Sequence, residues 1–169
     1  ISWETEGRWA TITKDIIEYF LSRGCEYFNV GLESGADRTL KHIKKGCTKK
    51  VIREKSRILN SIGIRWKLCC IIGFPDETLD DMKETMELAV EIDPCNISLN
   101  SFCPLPGTGA YKSIPGITPE LASAVSQVYP NHCFSRHIDI SAYQEMFLRM
   151  TDVFDIHNNS ARHILRHGG

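Results

Sequence analysis

Apolar runs of strand length alternate along this chain with stretches whose apolar residues recur at intervals of three and four. Four runs predict strands: Ile1 to Arg8, with Trp3 as its large residue, then Glu26 to Gly31, Ile64 to Ile72 and Asn96 to Phe102. Between them the period is helical. Ile16, Ile17, Phe20 and Leu21 share one face of a helix from Lys14 to about Arg23, with Thr11 or Thr13 as its cap and Gly24 past its end. A short helix from Asp37 to Lys44 precedes a longer one from Lys49 to Ser61, capped by Thr48 and closed by Gly63. Thr78 with Asp81 makes a short-armed capping box for a helix reaching Ile92, and Pro94 stops it.

Strands therefore begin roughly every 25 to 40 residues, the length of a βα unit. The order β-α-β-α-β-α-β predicts an α/β fold with a parallel sheet and right-handed crossovers. The nearly continuous apolar centre of Ile64 to Ile72 reads as a strand covered on both faces. The last third changes character. Thr118-Pro119-Glu120 opens a helix to about Val128, Asp139 or Ser141 caps another through Phe154, and a basic stretch runs from Ser160 to Gly169. The chain thus divides into a sheet-and-helix unit, 1–112, and a helical extension, 113–169. The start of the sheet, around Trp3, presents an unpaired edge that a partner chain, another copy or the helical tail is expected to cover.

Composition narrows the function classes. The chain is 42% hydrophobic and 24% charged with a net charge of -1, which gives no general attraction for nucleic acid or for an acidic membrane surface. No apolar run approaches the ~20 residues of a membrane span. The start lacks both the basic residues and the apolar centre of a signal peptide, lacks Met, and falls inside a strand. These features lead to the expectation of a cytoplasmic protein of which this is one piece. The seven cysteines are odd in number and never spaced C-x-x-C, so they read as reduced, small apolar residues. Cys69 and Cys70, adjacent in a strand, point to opposite faces and make a poor chelating pair. His163 and His167 stand four apart without a third ligand and read as part of a solvated helix end.

Chemistry is concentrated where strands end, because in a wound parallel sheet the turns after the strand C-termini form the ligand face. In Asn29-Val30-Gly31-Leu32-Glu33-Ser34-Gly35, the Glu33 carboxylate can accept both hydroxyls of a ribose. The Ser34 hydroxyl and the N–H groups at the head of the next helix can bind an anion, with Lys45 adding a cation. The same residues also allow a plainer arrangement, in which Ser34 caps the helix and Glu33 pairs with a lysine. In Ile71-Ile72-Gly73-Phe74-Pro75-Asp76-Glu77-Thr78, Gly73 lets a flat ring approach the backbone and Ile71 offers an apolar contact for adenine. Glu77 reads as negative charge at a helix start. Pro104-Leu105-Pro106-Gly107-Thr108 is a constrained turn. Arg8 points from the end of the first strand and can reach a substrate on the same face.

The succession Gly-Leu-Glu-Ser-Gly-Ala-Asp, Leu40-Lys41-His42-Ile43-Lys44-Lys45-Gly46, Gly63-Ile64, Ile-Ile-Gly-Phe-Pro-Asp-Glu-Thr and Pro-Leu-Pro-Gly-Thr resembles the radical S-adenosylmethionine enzymes over roughly Trp3 to Tyr111. The resemblance implies the second half of that family's partial (β/α)6 barrel. It assigns Glu33 to the ribose, Ser34 and Lys45 to the methionyl carboxylate, Ile71 and Gly73 to adenine, and Phe102 to the same pocket. It also implies a [4Fe–4S] cluster held by C-x3-C-x2-C, a spacing absent from this sequence. The chain is therefore expected to be inactive alone, a fragment of an enzyme acting on a small-molecule substrate. Gly-Leu-Glu-Ser-Gly followed by a helical tail is most similar to members with a cobalamin-binding domain, including methyltransferases and anaerobic Mg-protoporphyrin IX monomethyl ester oxidative cyclases. Methylthiotransferases resemble it as well but typically carry Gln at the position of Glu33. A non-catalytic nucleotide- or protein-binding α/β module is the alternative from another class.

Overall fold

The computed structural model describes residues 1–160; the basic stretch beyond Ser160, with His163 and His167, lies outside them. Four strands, β1 (Trp3–Gly7), β2 (Cys25–Glu33), β3 (Arg65–Ile72) and β4 (Asn96–Ser101), form one parallel sheet in the order β1-β2-β3-β4. The connecting helices are α1 (Lys14–Ser22), α2 (Asp37–His42), α3 (Lys49–Ile62) and α4 (Leu79–Glu91). After β4 come α5 (Gly109–Lys112), α6 (Pro119–Ala124) and the long α7 (Ile140–Asn158). This is the α/β architecture the apolar pattern predicts, ending in a helical region.

Local chemistry sets the boundaries. Thr13, Thr48, Thr108, Thr118 and Asp139 each accept a backbone N–H of the first turn that follows, and Thr78 with Asp81 completes its capping box. Gly63 closes α3 at φ 79°, in the left-handed region that glycine occupies without strain. Residues 125–128, read as helix from the sequence, leave it at Val125, which is extended.

β3 corrects the expectation of double coverage. Trp66, Leu68, Cys70 and Ile72 are buried, while Arg65, Lys67, Cys69 and Ile71 keep contact with solvent. Only one face lies under helices, with α1 against β2, α4 against β3 and α7 against β4. Trp9, Phe28, Val30, Leu68, Ile72, Met82 and the α7 residues Tyr143, Met146 and Met150 share one apolar core there. The other face carries Glu4, Glu6, Tyr27, Asn29, Lys67, Cys69 and Asn96 along a polar hollow.

The two sheet edges differ. At β4 the Asn158 side chain accepts from the Ile97 N–H at 2.8 Å and donates to the Ile97 carbonyl at 2.9 Å, standing in for a neighbouring strand. The Ser101 N–H donates to the Gln127 carbonyl at 2.6 Å. The helical region thus closes the β4 edge, and α7 is not the cover expected over β1.

Candidate functional site

A cavity of about 810 Å³ opens over the C-terminal ends of the strands. Residues off β1, β2 and the α2–α3 loop make its charged side: Arg8, Glu33, Lys44 and Lys45. Residues off β3 and β4 make its apolar side, with Ile71, Phe74, Phe102 and Leu105 beside Asn100 and Cys103. The Phe74 and Phe102 rings lie 5.0 Å apart, and Phe134 meets Phe102 edge-on at 5.8 Å.

The charged side is built on unusual backbone. Glu33 ends β2 at a bulge and stands at φ 63°, and Lys44 stands at φ 55°. Left-handed conformations of non-glycine residues cost roughly 1–3 kcal/mol and concentrate at functional sites. Trp9 fixes the approach to Glu33 by donating its indole N–H to the Gly31 carbonyl at 3.0 Å. Lys45 Nζ lies 2.7 Å from Glu33 Oε1, each side chain about a quarter exposed. The plainer of the two arrangements is thus present, a Glu33–Lys45 ion pair. It sets a carboxylate and an ammonium side by side on one wall of the cavity.

Ser34 lies elsewhere. It is fully buried, with its hydroxyl 3.2 Å from Thr85 Oγ1 and accepting from the Ala36 N–H. Thr85 gives its proton to the Asp81 carbonyl, so Ser34 is the donor of that pair, and the Gly35 N–H donates to Thr85 as well at 2.8 Å. The hydroxyl and N–H that the sequence offers to an anion are thus consumed in bolting the turn to α4. A Cβ on Gly35 would come within 2.6 Å of the Thr85 Cα, so glycine here serves close packing.

Gly73 is corrected in a similar way. It lies at φ 93°, and the space beside its missing Cβ is filled by the Tyr143 ring, 3.0 to 3.2 Å away. The flat ring that approaches this backbone belongs to α7 rather than lining the cavity. Tyr143 donates to Ser101 Oγ at 2.8 Å, with the Ile72 carbonyl 3.3 Å away. Four of the six residues singled out from the sequence, Glu33, Lys45, Ile71 and Phe102, line the same cavity; Ser34 and Gly73 support it from behind.

Glu77 does more than charge a helix start. It is 1% exposed, and its Oε2 accepts from the N–H groups of Gly73 (2.6 Å) and Phe74 (3.2 Å), clamping the turn that carries Phe74. Its Oε1 has no hydrogen-bond partner among the described residues. Burial pushes its acid up to about pH 8, against the pull of the two N–H donors. Ser135 Oγ donates to the Glu77 carbonyl, and Asp76 holds both His42 (3.0 Å) and Arg136 (2.5 Å), tying the loop before α7 to this turn. The sequence held one sign of these anchors: Asp81 and Thr85 fall on the buried stripe of α4, where an apolar residue is expected.

S-Adenosylmethionine fits this lining: a carboxylate for a diol, an ammonium for a carboxylate, and an aliphatic and aromatic wall for a base. A [4Fe–4S] cluster does not. All seven cysteines are separate free thiols, and no three metal-binding side chains converge among the described residues.

Comparison with known proteins agrees with this geometry. An uncharacterized methyltransferase of Pyrococcus horikoshii is 30% identical over 108 residues, covering 64% of this chain and 24% of its own length. The ribosomal protein uS12 methylthiotransferase of Clostridium kluyveri is 31% identical over 119 residues, covering 67% and 26%. This chain spans about a quarter of the length of such relatives. In fold it is similar to coproporphyrinogen III oxidase of Escherichia coli, a radical SAM enzyme, with a TM-score of 0.65, 16% identity, and 90% of this chain and 32% of that one covered. The radical S-adenosylmethionine methyltransferase TsrM of Kitasatospora setae, solved with cobalamin and a [4Fe-4S] cluster, gives a TM-score of 0.51 at 18% identity over 57% of this chain and 20% of its own. The family model described as the Radical SAM superfamily matches residues 1–89, more than half of the 169, and with the parallel sheet and the cavity at its strand ends it makes this chain a member of that superfamily.

Proposed function

We propose that this chain is the S-adenosylmethionine-binding part of a radical methyltransferase- or oxidative cyclase-type enzyme, the cluster thiolates coming from protein outside this sequence. One observation carries the reading: Glu33, Lys45, Ile71 and Phe102, from three strand ends and one loop, converge on one cavity. When bound, S-adenosylmethionine supplies the sulfonium whose cleavage is the chemistry of such enzymes. Glu33 accepts the ribose hydroxyls, Lys45 neutralises the methionyl carboxylate, and Ile71 with Phe102 excludes water from the adenine. Ser34 and Gly73 act indirectly, holding the two turns against α4 and α7. Lacking cluster ligands, the isolated chain binds the cofactor without turning it over. Cobalamin as a second cofactor is supported by Glu at position 33 and by the likeness to a cobalamin-containing fold. A methylthiotransferase parent is the second reading, favoured by the name of the Clostridium kluyveri relative. Seven free thiols accord with a reducing cytoplasm, and no described helix is long and apolar enough to cross a membrane.

Calorimetric titration with S-adenosylmethionine tests the site. Glu33→Ala is expected to weaken binding at least about tenfold, the value of a charge-assisted pair of hydrogen bonds. Wild-type affinity in that variant removes Glu33 from the ribose role. Absence of wild-type binding by the complete protein, with its cluster in place, removes the reading itself.

A further inference from the structure

The cavity wall is out of charge balance. The chain as a whole has 21 acidic and 20 basic residues, yet its lining holds Arg8, Lys44 and Lys45 against Glu33 alone. Lys45 and Glu33 neutralise each other at 2.7 Å. Arg8 and Lys44 face no carboxylate within ion-pair distance among the described residues. Two uncompensated cations in the lining of one cavity raise the local potential toward anions, and more so where protein displaces water.

Lys44 occupies a position that local structure would give to another residue. The Lys45 N–H reaches back to the Leu40 carbonyl and the Lys44 N–H to that of Lys41, closing α2 with a left-handed residue at Lys44, where glycine or asparagine is favoured. A cation near a helix C-terminus has some value from the helix dipole. Arg8 has no such account: it follows β1, its backbone carbonyl accepts from Thr11, and it lines the cavity as an exposed residue. The volume of about 810 Å³ stands toward the upper end of the roughly 300–1,000 Å³ of small-molecule sites, room for more than one nucleoside-sized ligand.

We propose that Arg8 and Lys44 form an anion subsite for the second substrate, beside the S-adenosylmethionine site, so that this substrate carries a carboxylate or a phosphate group. The proposal rests on the function proposed above for the neighbouring residues. The two cations approach from different elements, Arg8 from the end of β1 and Lys44 from the α2–α3 loop. Arg8 offers a bidentate fork and Lys44 a point charge, a pairing suited to the oxygens of either anion.

The test uses the full-length protein with its cluster in place, titrated with pyrophosphate and separately with succinate while S-adenosylmethionine is saturating. Arg8→Gln and Lys44→Asn remove one charge each; both residues are exposed, and asparagine suits the left-handed backbone. Each variant is expected to weaken the bound anion about tenfold, with S-adenosylmethionine affinity unchanged. Binding of pyrophosphate alone identifies a phosphate substrate, of succinate alone a carboxylate. Anion binding that is absent or indifferent to both substitutions overturns the subsite. A tenfold loss of S-adenosylmethionine affinity in these variants also overturns it, returning both cations to the cofactor and leaving the proposed function standing. Substitution-sensitive anion binding in a protein that never binds S-adenosylmethionine would keep the subsite and remove the cofactor reading.

Discussion

The two faces of the sheet come from the same strands and share nothing else. Behind it, Phe28, Val30, Trp66, Leu68, Cys70 and Ile72 are at most 2% exposed beneath α1, α4 and α7. In front, Glu4, Glu6, Asn29, Lys67 and Cys69 line an open polar hollow. A shift of one residue in register would exchange them. In β3 the even positions lie in the core and the odd ones face the open side, so substitutions one residue apart should fall into different classes.

The largest contrast is expected between neighbours in β3. Leu68→Ala, behind the sheet, should cost about 2–5 kcal/mol of unfolding free energy. Lys67→Ala, in front, should stay within about 0.5 kcal/mol. Equal losses in urea denaturation would abolish the distinction between faces.

Tyr143→Phe is next and tests how far the helical extension reaches through the sheet. It removes one hydroxyl and strands the buried Ser101 Oγ, at a cost of about 1–3 kcal/mol. Ser101 also lines the cavity, so S-adenosylmethionine affinity should move with stability. A stable variant with unaltered affinity would show that α7 acts as a cover only.

Glu77 sharpens the comparison through pH. Its folded-state acid lies at about 8, above the ordinary 4.5, so the folded chain holds a proton that the unfolded chain has released between those values. Its contribution is complete below about pH 4.5 and lost as pH rises through 8, at a rate of up to about 1.4 kcal/mol per pH unit. Glu77→Gln keeps an acceptor for Gly73 and Phe74 without the proton, and its stability should exceed that of wild type increasingly across this window. Parallel stability profiles for the two proteins would show that Glu77 is ionised when folded.

The smallest effect is expected at the β4 edge. Asn158→Ala removes two hydrogen bonds to Ile97 and should cost roughly 0.5–1.5 kcal/mol, with faster exchange of the Ile97 amide hydrogen. Unaltered exchange would mean that α7 packing alone protects this edge.

Much of this architecture was legible in the sequence because it rests on local signals. Threonine caps, Gly63 and Pro94 mark helix ends, and alternation in Asn96–Phe102 marks a half-buried strand. The run Lys67 to Ile72 misled for a simple reason: cysteine and isoleucine are apolar wherever they face, so Cys69 and Ile71 looked buried although they stand on the open side. At the strand ends, the positions of Glu33, Ile71 and Phe102 on one cavity were readable from the order of strands and turns, and that of Lys45 from the loop after α2. Ser34 and Gly73 were not, because their partners Thr85 and Tyr143 are 51 and 70 residues further along the chain. Neither partner has a sequence signal that names the turn it meets.

By itself the sequence determined the order of elements, the parallel sheet and which turns lie at the C-terminal ends of its strands, since periodicity, caps and turn residues act within a few positions of one another. Only the tertiary structure decided which of those turn groups remain free. A hydroxyl or N–H can serve either a ligand or a buried neighbour: Thr85 of α4 takes up those of Ser34 and Gly35, Glu77 takes the Gly73 N–H, and the Tyr143 ring of α7 fills the space beside Gly73.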